Sequence, residues 1–266
     1  MTDDSVMPSK KPSSPTVPGT YRPLKPLGFM RLYFGGRYIW IMTGLFLMMI
    51  IGPLIGRFEI VTSHFYVGDL LVGGVLLAAV RAFFKDRRHF VTCVTLGIAA
   101  ILVGTLGRYL PVHDQAWFTV MALSLDTLLL SYLILLISAD VFTTNEVDAD
   151  TICGSISVYL LISGVFATVY SILLLIEPAA FFLPEETVGE DASLGPDRLM
   201  AYFSLITITT VGYGDITPQS ELARSLANLE AIIGQVYLTV LVARLVGSHI
   251  STLAYDRSKK EPSPPA

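Results

Sequence analysis

Long apolar stretches dominate this sequence of 266 residues and restrict what it can fold into. Six of them are apparent, at residues 38–56, 67–84, 90–107, 117–139, 155–176 and 226–247. Each approaches or exceeds the length of about 20 residues that a helix needs to cross a bilayer. Backbone N–H and C=O groups in lipid must be satisfied within the segment itself, so we predict six transmembrane helices. The chain is 53% hydrophobic and only 15% charged, which agrees with this interpretation.

Basic residues cluster before the first stretch, between the second and third, and after the sixth. Six crossings place all three clusters on one side, which the bias of basic residues predicts to be the cytoplasm. We therefore expect a multi-pass protein of the plasma or inner cell membrane, in contact with lipids, with both termini cytoplasmic. The net charge of −4 is modest and suggests no nucleic-acid partner.

Between the fifth and sixth stretches, residues 207–215 read Thr-Ile-Thr-Thr-Val-Gly-Tyr-Gly-Asp. A dehydrated K⁺ needs a cage of oxygens, which inward-pointing backbone carbonyls from several chains can supply. Such a run must alternate between right- and left-handed backbone conformations, and glycine adopts the left-handed ones without a steric penalty. The sequence therefore predicts a K⁺ selectivity filter made by Thr210, Val211, Gly212, Tyr213 and Gly214, with K⁺ held at the first four.

This motif resembles the signature of the tetrameric potassium-channel superfamily, and the resemblance covers roughly residues 155–250. It implies an all-α integral membrane fold with six transmembrane helices, a re-entrant pore helix and a homotetrameric pore, because each chain carries one pore loop. The implied organisation is a disordered Pro-rich cytoplasmic N-terminus (1–35), a four-helix peripheral domain of voltage-sensor type (36–142), a cytoplasmic linker (143–154), a pore domain (155–250) and a cytoplasmic tail (251–266).

The resemblance also assigns supporting residues around the filter. Residues 197–209 would form the pore helix, and Tyr202 and Phe203 occupy positions where the family places an aromatic cuff that braces the filter tyrosine. Some family members carry a glutamate at position 206 that pairs with the aspartate after the filter. This chain has Ile206, so Asp215 must find another donor or remain solvated.

Gating candidates lie in the sixth stretch. Gly234 matches the spacing of the family's glycine hinge, and we expect either a bend for gating or a close approach of neighbouring helices. Val242 and Val246 are candidates for a hydrophobic constriction of the inner pore.

Two ionisable residues also lie in this stretch, where such groups are costly. We expect Glu230 to accept hydrogen bonds from a pore helix, either as a structural carboxylate or as a proton-sensitive switch. Arg244 would repel K⁺ on the pore axis, and we expect it to face away from the pore.

The fourth stretch contains no Arg or Lys, although a voltage sensor needs several. We therefore expect a K⁺-selective channel for passive permeation that is not conventionally voltage-gated, has no enzymatic activity and needs no cofactor beyond the permeant ion. A weakly selective cation channel, a K⁺ transporter and a regulatory membrane subunit remain alternatives. The gating stimulus stays open, as does a separate regulatory subunit or ligand. It also stays open whether the peripheral helices pack on their own pore module or on a neighbour's.

Overall fold

The computed structural model describes residues 36–55, 87–108, 112–144, 148–184 and 196–260. Helices make up most of this part of the chain: α1 (Ile39–Ile55), α2 (Arg87–Arg108), α3 (Val112–Thr143), α4 (Ala149–Ile176), α5 (Pro196–Ile208) and α6 (Glu221–Lys260). A 3₁₀ turn (Pro178–Ala180) and two short strands, β1 (Phe181–Phe182) and β2 (Thr217–Pro218), complete it.

Four of the described helices are long and apolar enough to cross a membrane, and these spans are Arg87–Gly107, Gln115–Thr143, Ala149–Ile176 and Glu221–Gly247. The apolar part of α1, Ile39–Ile50, is shorter. Together they correspond to five of the six predicted stretches. The remaining stretch, 67–84, and the predicted N-terminal segment 1–35 lie outside the described residues.

Helix boundaries differ from the expected domain limits at two places. The predicted linker 143–154 is partly helical, because α4 begins at Ala149. The carboxylate of Asp148 accepts hydrogen bonds from the backbone N–H and the hydroxyl of Thr151, which caps the helix there. Burial alone would raise the pKa of Asp148, but these hydrogen bonds outweigh it and hold the pKa below its ordinary value. Likewise, α6 continues to Lys260, beyond the predicted boundary at 250.

Two of the helices before α4, α1 and α3, pack directly on it in the same chain. α3 runs against both α2 and α4, and α1 also contacts α4. Leu129, Leu133 and Ile137 are fully buried and lie four residues apart, so they form one face of α3. A hydrogen bond of 2.8 Å between the hydroxyls of Thr127 and Thr168 adds a polar contact between α3 and α4.

Charged and polar groups join the ends of α1, α3 and α4. The backbone N–H groups of Arg37 and Tyr38 donate to the two carboxylate oxygens of Asp150, each at 2.9 Å. The side chains of Arg37 and Tyr38 both reach Asp140 near the end of α3, at 3.0 and 2.5 Å. Because the Arg37–Asp140 ion pair is substantially exposed, it contributes little to stability by itself.

Both cysteines, Cys93 in α2 and Cys153 in α4, are free thiols. Each is buried and packs among the apolar side chains of the core. They therefore serve as small packing residues of the bundle.

Gly154 allows three helices to meet at the junction. A Cβ at this position would lie 2.9 Å from the ring of Tyr38 and 3.1 Å from a methyl carbon of Val141. We predict that Gly154→Ala lowers stability by about 1–3 kcal/mol, because the added methyl group forces these neighbours to shift.

Gly44→Ala is the matched control, since nothing lies within 4 Å of a Cβ at Gly44 in α1. Alanine is favoured over glycine in helices by up to about 1 kcal/mol, so this variant should keep or slightly gain stability. Thermal unfolding of the purified protein in detergent measures both. Equal melting temperatures for the two variants would contradict the packing of α1 and α3 on α4.

Candidate functional site

The loop between α5 and β2 folds back onto the end of α5. The backbone N–H groups of Val211 and Gly212 both donate to the carbonyl of Ile206, at 2.9 and 3.1 Å. The N–H of Thr210 donates to the carbonyl of Thr207 at 3.0 Å. These bonds satisfy amides at the start of the loop within the chain itself.

Every second residue of this loop has a positive φ. The values are 58° at Thr210, 54° at Gly212 and 79° at Gly214. Nothing lies within 4 Å of a Cβ built at either glycine, so within one chain these positions need glycine for backbone conformation and not for space. Thr210 is β-branched, and a positive φ at such a residue is strained. Strain of this kind is concentrated at functional sites.

Asp215, at the far end of the loop, is hydrogen-bonded to α5. The hydroxyl of Tyr202 donates to a carboxylate oxygen of Asp215 at 2.8 Å. Of the two expectations for Asp215, the structure shows another donor, Tyr202, since the aliphatic side chain of Ile206 cannot donate. Tyr202 lies in the middle of α5, so this bond joins the end of the loop to the body of the helix.

Phe203 faces away from the loop. It is buried and makes edge-to-face contacts with Tyr170 and Phe181, at ring-centroid distances of 5.2 and 5.4 Å. Tyr213 is 73% exposed. Within one chain Phe203 therefore does not brace Tyr213, because helical spacing turns it toward α4, and the aromatic cuff of the assembled filter stays a prediction.

Backbone hydrogen bonds connect the segment that follows the loop to the segment that follows α4. β1 and β2 pair antiparallel, with Phe181 opposite Pro218 and Phe182 opposite Thr217. The carbonyl of Ala180 accepts from the N–H of Gln219 at 2.7 Å. The chain therefore leaves the loop along a path anchored to the end of α4.

Polar side chains of α4 form hydrogen bonds with α5. The hydroxyl of Tyr159 donates to the carbonyl of Ile208 at 2.8 Å, in the last turn of α5. One turn further along α4, the hydroxyls of Ser163 and Ser204 are 2.9 Å apart. Sequence reasoning missed these α4 residues. The signal was present, since Tyr159, Ser163 and Tyr170 recur at spacings of four and seven residues on one face of an apolar helix.

Glu230 joins α6 to both α4 and α5. Its side chain is completely buried, and its carboxylate accepts from the hydroxyl of Tyr170 at 2.7 Å and contacts that of Ser204. Ser204 belongs to the pore helix predicted to bond with Glu230. Tyr170 was not anticipated as a partner.

Gly234 lies one turn below Glu230 and contacts the end of α5. A Cβ at Gly234 would lie 2.6 Å from a side-chain carbon of Ile208 and 3.1 Å from its carbonyl oxygen. α6 is helical through this position. The close approach of helices, one of the two predicted uses of Gly234, is present here, and a bend at Gly234 for gating stays a prediction.

The C-terminal half of α6 has an open face, which carries Val242 and Val246, and an arginine that contacts the end of α3. Val242 and Val246 are 57% and 53% exposed in the single chain, one turn apart. Arg244 turns the other way: its guanidinium donates to the carbonyl of Thr144 at 2.6 Å and lies 5.3 Å from the ring centre of Phe142. Arg244 thus contacts the end of α3, on a different side of α6 from the two valines.

Among the described residues, no group of three or more His, Cys, Asp or Glu side chains is arranged to hold a metal ion.

Comparison with known proteins identifies the same region. A family model described as "Ion channel" matches residues 158–248, which run from α4 through α5 and the loop into α6. "Two-pore potassium channel 4" of Arabidopsis thaliana is 36% identical over 72 residues, 27% of this chain and 24% of the plant protein. "Protein LctB" of Bacillus caldotenax is 34% identical over 104 residues, 39% of this chain and 75% of that protein.

The chain therefore spans about a quarter of the plant relative and three quarters of the bacterial one. No solved structure matches it.

The contact of Gly234 with Ile208 yields a stability prediction. Gly234→Ala should lower stability by about 1–3 kcal/mol, because the new methyl group would overlap the Ile208 side chain. Gly247→Ala, on the same helix, should have no such effect, because nothing lies within 4 Å of a Cβ built at Gly247. Thermal unfolding in detergent compares the two variants. Adding Ile208→Ala to Gly234→Ala should recover part of the loss, and a fully additive double variant would contradict the contact.

Proposed function

Because the chain belongs to the ion channel family, we propose that it forms a homotetrameric, K⁺-selective channel for passive permeation. The observation that carries this proposal is the alternation of φ at Thr210, Gly212 and Gly214 in a loop that follows α5. Each chain has one such loop, so closing a ring of carbonyl oxygens takes several chains, and four is the number that the family resemblance implies.

We propose that Thr210, Val211, Gly212 and Tyr213 supply the oxygens that replace the hydration shell of K⁺, with Gly214 completing the filter. The C-terminal end of α5 leads directly into this loop, and the negative end of a helix dipole favours a cation there. No covalent chemistry is part of this function, and the permeant ion is the only cofactor proposed.

Selectivity for K⁺ rests on two supports. The plant relative is named as a potassium channel, although the chain matches only a quarter of it. The loop also keeps the full Thr-Val-Gly-Tyr-Gly run at 210–214. A weakly selective cation channel is the nearest competing function, and Tyr213 argues against it because less selective relatives often differ there.

The helix that corresponds to the fourth predicted stretch lacks the basic residues that a voltage sensor needs. α3, which corresponds to the fourth predicted stretch, has no Arg or Lys along its length. Each elementary charge moved through the membrane contributes only about 2.3 kcal/mol per 100 mV. We therefore propose a channel without steep voltage dependence, in the plasma or inner cell membrane, with both termini cytoplasmic.

We propose that the inner pore is lined by the open face of α6. Val242 and Val246 lie on it and are available to form the hydrophobic constriction. Gly234 packs against Ile208, so opening at this constriction would require movement of α6 together with α5 or bending elsewhere.

The test of the function is ion flux through purified protein in liposomes. We expect K⁺ flux down its gradient, little Na⁺ flux and block by Ba²⁺. Gly212→Ala should abolish K⁺ selectivity or current, because an L-residue in the left-handed region costs about 1–2 kcal/mol and displaces the neighbouring carbonyls. Gly44→Ala is the control and should conduct as the unmodified protein does. Normal K⁺-over-Na⁺ selectivity in Gly212→Ala would rule out this filter.

A second variant tests the tie at the far end of the loop. Tyr202→Phe removes the hydrogen bond to Asp215, worth about 1 kcal/mol at this exposed position. We expect K⁺ flux to begin normally and to decline faster in low K⁺, because the filter end is less restrained. Tyr132→Phe, in the peripheral α3, is the matched control.

The pairing itself is checked by a double variant. In the double variant Asp215→Asn, Tyr202→Phe, the K⁺ flux in low K⁺ should decline no faster than in the more impaired single variant. Additive effects would mean that the two residues act independently.

A further inference from the structure

Glu230 is sealed within a single chain. Its side chain has no exposed surface, and its two carboxylate oxygens contact Tyr170 of α4 and Ser204 of α5. A neighbouring chain therefore has no surface of Glu230 to touch, and the network around this carboxyl group must be completed by its own subunit. A role of Glu230 in K⁺ flux rests on the proposed channel function.

The hydroxyl of Ser204 lies within hydrogen-bonding distance of three oxygens. Its Oγ is 2.7 Å from the carbonyl oxygen of Ser163 and 2.9 Å from the Ser163 hydroxyl. The third neighbour is a carboxyl oxygen of Glu230. A serine hydroxyl has one proton to donate and two lone pairs to accept with, so it can take part in at most these three bonds.

Three contacts need three protons, and the two serines supply two. The carbonyl oxygen of Ser163 accepts only, so it takes the Ser204 proton. The Ser163 hydroxyl gives its own proton to Ser204. An ionised Glu230 would also accept only, which would leave the Glu230–Ser204 contact without a proton between two oxygens. A protonated Glu230 donates to Ser204 and completes all three bonds.

The surrounding charges do not favour an ionised carboxylate. The titratable groups that interact with Glu230 are Tyr170 and Tyr159, both from α4, and neither is cationic. α5 contributes the neutral Ser204. In the described part of the chain no Lys, Arg or His forms an ion pair with Glu230. A buried ionised carboxylate without a cation is costly.

We propose that Glu230 carries a proton and, through Ser204, acts as a positioning residue that holds the pore helix α5 against α6 and α4. Tyr170 donates to the other carboxyl oxygen and orients the group. Loss of this proton removes one bond from Ser204, which lies six residues before the first filter residue, Thr210. Deprotonation therefore loosens α5, and K⁺ flux falls as the pH rises.

Infrared spectroscopy tests the proton directly, without any need for ion flux. A carbonyl stretching band of a protonated carboxylic acid should be present at neutral pH and should shift in D₂O. Glu230→Gln should remove that band, whereas Glu221→Gln, at an exposed glutamate at the start of the same helix, should not. Loss of carboxylate bands instead of the acid band in Glu230→Gln would overturn the assignment.

Liposome flux then tests the positioning role. The amide introduced by Glu230→Gln keeps a donor for Ser204 and an acceptor for Tyr170, so this variant should conduct with no decline at high pH. Glu230→Ala lacks both and should lose roughly tenfold or more of the K⁺ flux at every pH. Glu221→Gln should keep the unmodified pH profile.

The outcomes separate the two proposals. An acid band that titrates while the flux stays constant, or a Glu230→Gln variant that keeps the unmodified decline, would overturn the positioning role. Absence of K⁺ flux from every variant would count against the proposed channel function. In that case the infrared result still decides whether Glu230 is protonated.

Discussion

A loop that offers its carbonyl oxygens to an ion inside a membrane can exist only if the remaining backbone groups are satisfied by protein. This constraint governs the arrangement around α5. The amides of Val211 and Gly212 are satisfied by a carbonyl in the last turns of α5, and the carbonyl of Ile208 is satisfied by Tyr159. The Tyr159 bond also requires α5 to sit at one depth and one rotation against α4.

α5 is held at that position by polar contacts on its back and by close packing at its end. Ser204 lies between Ser163 and Glu230, and Gly234 lets α6 approach Ile208 closely. Polar side chains are costly among apolar helices unless they are paired, so this arrangement restricts the helices to few relative positions. Contacts of this kind account for Ser163 and Tyr170 among the buried residues of α4.

The peripheral helices contribute a different kind of contact. α1 and α3 meet α4 mainly through apolar side chains, with a polar junction around Asp140 and Asp150 at one end. Arg244 links α6 to the end of α3 at the carbonyl of Thr144. The bundle is therefore connected to α6, although α3 carries no Arg or Lys that could respond to voltage.

The sequence alone determined the membrane setting, the approximate position of five described helices and the existence of the loop at 207–215. These features depend on local properties: apolar length sets a membrane span, and glycine at alternate positions sets the backbone of the loop. Composition at residues 67–84 predicts a further span, which lies outside the described residues. The sequence also indicated that Glu230 and Gly234 have a purpose, because each is unfavourable in a membrane helix.

Only the tertiary structure decided which partners these residues have. The sequence predicted that Glu230 bonds with a pore helix, but it did not identify Ser204 as the partner. Tyr170 and Ser163 lie many residues away on α4, and no local signal links them to Glu230. Phe203 was assigned to the filter, yet its rotation on α5 places it in the core. The use of Gly234 likewise depended on which atom of α5 stands opposite it. Contacts between distant segments follow from the relative rotation and depth of packed helices, which local propensity does not encode.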